Sequence, residues 1–65
     1  SMPKTPSPIK SAETKVISKT LSGDQLIVSL QEGQGKVHTL YLTKEESSQI
    51  DLGDSVKITL EKVEK

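Results

Sequence analysis

The chain has 65 residues, in which nine lysines balance nine acidic residues, with one histidine and no cysteine. A single imidazole and no thiol exclude disulfides, zinc–thiolate sites and histidine-based metal sites, so we expect no metal and no cofactor. No apolar run approaches the roughly 18 residues of a membrane-spanning helix, and we expect a cytoplasmic protein that does not enter membranes.

Residues 1–13 predict a flexible arm. They contain all three prolines of the chain, and proline removes the backbone donors that regular strand pairing needs. Such a segment buries too little apolar surface to offset its ordering entropy. Ser1 ahead of Met2 is typical of the residue left by a cleaved purification tag, so it is set aside. The folded domain is predicted over residues 14–65.

Alternating or β-branched apolar residues predict four strands after the arm. In chain order they cover residues 15–21, 25–31, 36–43 and 55–63. Glycine-containing turns separate the first three. Val63 falls out of phase with the alternation before it, so we expect a β-bulge or a change of strand partner near Glu61-Lys62.

Residues 44–49 predict one short helical turn. Thr43 and Glu46 have the spacing of a capping box, in which each side chain bonds the backbone N–H of the other residue. Together with the strands, this turn predicts an all-β fold, a small four- to five-stranded antiparallel barrel of the OB-like or SH3-like kind. A fifth strand arises if one long, bent strand splits.

The predicted core consists of apolar residues that alternate along these strands or flank the helical turn. They are Ile17, Leu21, Leu26, Val28, Leu30, Leu40, Leu42, Ile50, Leu52, Val56, Ile58 and Leu60.

No catalytic residues are predicted. Nucleophilic catalysis needs a nucleophile beside an oriented base, and His38 is the one imidazole available. It lies in a predicted strand, in phase with Leu40 and Leu42, as a residue at the core edge would. Gly33-Gln34-Gly35 lacks the lysine and hydroxyl residue of a phosphate-binding loop and is interpreted as a hairpin turn.

The segment from Leu42 to Val63 resembles the end of a TOBE or molbindin-type domain, a small OB-like barrel that binds oxyanions such as molybdate. The matching positions are Leu42-Thr43-Lys44-Glu45, Ser47, Leu52-Gly53 and the alternating Val56, Ile58 and Leu60. The resemblance implies that Thr43, Lys44 and Ser47 would contact the anion. Glu61 departs from the family pattern, and its carboxylate would repel an oxyanion.

Single-stranded nucleic acid is a further alternative, because OB-like barrels bind it on aromatic platforms beside positive grooves. The residues for such a site would be Lys15, Lys19, Lys36, Lys57 and Tyr41. The chain has one aromatic residue, no arginine and no net charge, so counterion release provides little driving force. We therefore do not expect nucleic-acid binding.

The function predicted from the sequence is that of a non-enzymatic binding module for a protein partner or for itself. A domain this short buries only about 60% of its unfolded surface and is usually stabilised further by a disulfide, a metal or a second subunit. Since disulfides and metals are excluded, the remaining means of stabilisation is self-association, most simply as a two-fold dimer. Val37 and Tyr41 lie on the strand face opposite Leu40 and Leu42. We expect the contact to be formed by this third strand, with Val37 and Tyr41, or by the last strand, through side-chain packing or edge pairing.

Overall fold

Four antiparallel strands and one short helix make up the fold in the computed structural model, which describes residues 7–64. The elements are β1 (Lys10–Ser22), β2 (Gln25–Glu32), β3 (Lys36–Thr43), α1 (Lys44–Ser47) and β4 (Ser55–Leu60). They form one sheet in the order β3-β2-β1-β4. The predicted all-β class with four antiparallel strands and one helical turn is confirmed. The described sheet is open, with β3 and β4 as its two edges.

The start of β1 corrects the predicted boundary of the arm. Residues 10–13 were expected to be flexible, but they pair with β4, from Lys10 opposite Leu60 to Glu13 opposite Lys57. These four residues contain no proline, so each can use its backbone N–H, and the neighbouring strand provides the regular partner that local sequence does not reveal. Residues 1–6 of the predicted arm lie outside the described part of the chain.

A β-bulge in β1 changes which of its residues face the core. The pairing with β2 is interrupted between Val16 and Ser18. As a result Val16 is 2% exposed, whereas Ile17, which was predicted in the core, is 45% exposed. Val16 also exchanges two backbone hydrogen bonds with the turn before β4, accepting from Gly53 N at 2.8 Å and donating to Asp54 O at 3.0 Å. The bulge therefore lies in β1. No bulge forms in β4 near Glu61-Lys62, because this strand ends at Leu60.

The core lies on one face of the sheet, called here the inner face. Within residues 7–64 its fully buried apolar residues are Val16, Val28 and Leu30. Side chains that pack around them and stay partly exposed are Leu26, Leu42, Ile50, Val56 and Ile58. Other predicted core residues are exposed, namely Ile17, Leu21, Leu40, Leu52 and Leu60. The four-residue helix α1 is too short to cover the whole inner face, which explains this smaller core.

Helix α1 has the predicted capping box. Glu46 N donates to Thr43 Oγ1 at 3.1 Å, and Thr43 N donates to Glu46 Oε1 at 2.9 Å. The helix ends at Ser47 rather than at residue 49. Lys19 Nζ, on the inner face of β1, donates to the carbonyls of Ser47 and Ile50, both at 2.8 Å. One ammonium group thus holds the end of the helical turn against the sheet.

Candidate functional site

The edge strand β3 has lysines only at its limits, Lys36 at its start and Lys44 directly after it, and no bulge or proline between them. Exposed edges are normally protected by charged residues, proline or bulges. Residues 37–43 contain no Asp, Glu, Lys, Arg or Pro, and their pairing with β2 is continuous. The opposite edge, β4, carries Lys57 at its centre and is followed by Glu61 and Lys62. Both strands are thus bounded by charged residues, and the two edges differ at their centres, where β4 has Lys57 and residues 37–43 of β3 have no lysine or carboxylate.

Two large apolar side chains project from β3 on the face opposite the core, called here the outer face. Val37 is 53% exposed and Tyr41 is 65% exposed. Tyr41 lies across from Ile27 of β2, and Val37 lies across from Gln31. The structure brings together the two residues for which sequence analysis predicted an interaction. They lie on the same face of one strand, with Thr39 between them, at a free edge.

A cluster of three charged or titratable side chains lies on the inner face, at the other end of the sheet from α1. His38 Nε2 donates to Glu32 Oε1 at 2.9 Å, and Lys10 Nζ lies 3.3 Å from Glu32 Oε2. The hydrogen bond from His38, aided by that from Lys10, holds the pKa of the Glu32 carboxyl below its ordinary value of 4.5, although partial burial acts in the opposite direction. The cluster joins β1, β2 and β3, and sequence analysis did not detect it because its members are far apart along the chain.

Replacing Glu32 by Gln is expected to destabilise the protein near neutral pH and to have no such effect in acid. A carboxyl whose pKa is lowered by folding stabilises the native state when it is ionised, and that contribution disappears as the pH falls through the folded-state pKa. Thermal melts of both proteins at neutral pH and well below pH 4.5 measure the difference. Glu61→Gln is the matched control, since Glu61 is exposed and makes no ion pair within residues 7–64. An equal effect of Glu32→Gln at both pH values would contradict this.

A groove of about 280 Å³ lies between the two edges of the sheet on the inner face. It is lined by His38 of β3, by Lys10 of β1 and by Ile58, Thr59 and Leu60 of β4. Because both edge strands line one groove, the sheet is strongly curved. His38 and Glu32 have the arrangement of a base and its orienting carboxylate, but no hydroxyl group within residues 7–64 is hydrogen-bonded to His38. The described groove therefore lacks a nucleophile poised beside its base.

The three positions expected to bind an anion belong to one helical turn but differ in exposure. Lys44 is exposed, whereas Ser47 is 1% exposed and its hydroxyl has no hydrogen-bond partner in the described structure. The hydroxyl of Thr43 already accepts from the backbone of Glu46. In this arrangement the Ser47 hydroxyl cannot contact an anion in solution together with Lys44. The oxyanion site stays a prediction from the resemblance.

The residues expected for nucleic-acid binding are divided between the two faces of the sheet. Lys15, Lys57 and Tyr41 lie on the outer face, while Lys36 and Lys19 have the register of the inner face. Lys19 is also engaged with the end of α1. The lysines therefore form no single positive groove beside Tyr41.

The described part of the chain contains no group of three or more metal-ligating side chains. Among residues 7–64 there is also no helix with the length and hydropathy to cross a bilayer. No protein family model, curated protein or solved structure matches the chain.

Proposed function

We propose that this chain is a non-enzymatic protein-binding module that acts through the free edge and the outer face of β3. The observation that carries the proposal is the combination of an unprotected edge strand with exposed Val37 and Tyr41 on it. A strand added to such an edge gains main-chain hydrogen bonds, and alternate side-chain contacts make the binding specific. Aromatic residues such as Tyr41 are enriched in protein interfaces. In this proposal the fold is a small OB-like or SH3-like barrel left open between β3 and β4.

The small size of the core supports this function. Only three apolar side chains are fully buried within residues 7–64, which is a small core for a domain without disulfides or described metal sites. Strand addition at β3 would cover apolar surface that the chain itself leaves in water. The division of the lysines between both faces favours a protein partner over nucleic acid, whose phosphates require clustered positive charge. A cytoplasmic location stays a prediction.

An NMR titration with a short extended peptide of alternating Thr and Val tests the site. The ¹⁵N-labelled protein is first diluted until its sedimentation is that of a monomer. We expect the amide signals of β3 to shift and those of β4 to stay unchanged, because residues 37–43 of β3 contain no lysine or carboxylate, whereas β4 has Lys57 at its centre. Tyr41→Lys should abolish the shifts, whereas the same change at Ser11, exposed on the outer face of β1, should preserve them. Shifts confined to β4, or no shifts in a monomeric sample, would refute binding at β3.

A further inference from the structure

We propose that the partner at β3 is a second copy of this chain, paired antiparallel through its own β3 about a two-fold axis at Thr39. This inference rests on the proposed binding at β3 and specifies its occupant. Pairing of this kind would join the two four-stranded sheets into one continuous sheet, with both outer faces on the same side. It would leave β4, with Lys57 at its centre, as the edge at each end.

The side chains of β3 are self-complementary in this register. An antiparallel pair centred on Thr39 places Val37 of each copy opposite Tyr41 of the other copy, and Thr39 opposite Thr39. Aromatic residues paired with β-branched residues, and threonine paired with threonine, are among the favourable cross-strand pairs. The pairing therefore covers the two most exposed apolar side chains of β3 with each other, twice in one dimer.

Charge selects the same register. In an antiparallel pair the start of one strand lies beside the end of the other, so Lys36 of each copy would lie near the exposed first turn of α1 in the second copy. That turn contains Glu45 and Glu46 besides Lys44, so its net charge is negative and opposite to that of Lys36 at both ends of the contact. A register centred on Leu40 would instead place Lys36 opposite Lys44, and like charges directly opposite are destabilising. A register centred on His38 pairs fewer residues of the strand.

The zero net charge of the chain permits this association. Nine cations and nine anions leave no overall repulsion between two copies, and a net charge near zero promotes association. Charged residues, which protect edge strands from pairing, are present on β4 and absent from residues 37–43 of β3. The distribution is that of a protein with one edge protected from pairing and one edge free for it.

Sedimentation equilibrium over a hundredfold range of concentration tests the dimer. We expect the mass to rise from monomer to dimer and to go no further. Tyr41→Lys should raise the dissociation constant at least about tenfold, as expected for loss of an interface aromatic residue. Ser11→Lys, on the exposed outer face of β1, should leave the dissociation constant unchanged. Circular dichroism of both variants verifies that they remain folded.

Single-cysteine variants test the register, since the natural sequence contains no cysteine. Paired residues of antiparallel strands have Cα atoms about 4.5–5.5 Å apart, within the range that a disulfide spans. Under mild oxidation Thr39→Cys should become a covalent dimer, and Leu40→Cys and Thr59→Cys should react much more slowly. Faster cross-linking of Leu40→Cys would overturn the proposed register.

The outcomes separate this inference from the proposed function. If the chain is a monomer at every concentration and the extended peptide still shifts β3 signals, the proposed dimer is wrong. The proposed binding of a partner strand at β3 is then supported. If the chain is a monomer and the peptide has no effect, both fail. A dimer that Tyr41→Lys does not weaken would place the contact elsewhere and would overturn the inference.

Discussion

Leu30→Ala is expected to remove a large part of the stability of the chain and to lower the urea midpoint strongly. Leu30 of β2 is completely buried and belongs to the same core cluster as Val16 and Val28. Leu→Ala substitutions in cores cost about 2–5 kcal/mol, through lost burial and the cavity that remains. A domain of this length has a total stability of about 3–10 kcal/mol at the usual range per residue. Circular dichroism and urea titration of the variant would measure the loss.

The matched control for Leu30→Ala is Leu60→Ala. Leu60 has the register of the inner face but is 57% exposed at the end of β4, so its truncation should change the melting temperature little. The loss of stability in Ile58→Ala should lie between those of the other two variants, because Ile58 packs against the core but is only partly buried. A cooperative urea transition of Leu30→Ala with an unchanged midpoint would show that the core is centred elsewhere.

Lys19→Met is expected to destabilise the protein by about 1.5–3 kcal/mol, the usual contribution of a hydrogen bond to a charged group. Methionine keeps the apolar stem of the side chain but cannot donate. The carbonyls of Ser47 and Ile50 would therefore lose the ammonium that lies 2.8 Å from each. Water can partly replace the lost hydrogen bonds to these two carbonyl oxygens. We therefore expect the variant to lose the stability contribution of one hydrogen bond to a charged group, and not that of two.

Urea titrations of Lys19→Met and Lys15→Met would measure this effect. Lys15 is exposed in the same strand but on the outer face, and its replacement should change the stability by less than about 0.5 kcal/mol. Equal stability of the two variants would mean that Lys19 does not secure the helical turn. In that case Ile50 would have to hold the turn against the core by packing alone.

The sequence determined the features that depend on residues close together in the chain. The positive φ angles of Gly23 and Gly33, both 63°, explain why the hairpin turns fell where glycine predicted them. The capping box was predicted because Thr43 and Glu46 are three residues apart and bond each other directly. Alternation in β3 predicted the face that carries Val37 and Tyr41, because successive side chains of a strand point to opposite sides.

Tertiary structure alone decided the features that depend on contacts between distant segments. Residues 10–13 became part of β1 because β4 supplies their hydrogen-bond partners. Val16, and not Ile17, lies in the core because β1 has a bulge between Val16 and Ser18. The backbone of Val16 is also hydrogen-bonded to Gly53 and Asp54 in the turn before β4. The strand order leaves β3 and β4 unpaired with each other, and no local pattern encodes that order. The free edge of β3 and the cluster of Lys10, Glu32 and His38 both follow from it, because strand order sets which distant residues become neighbours.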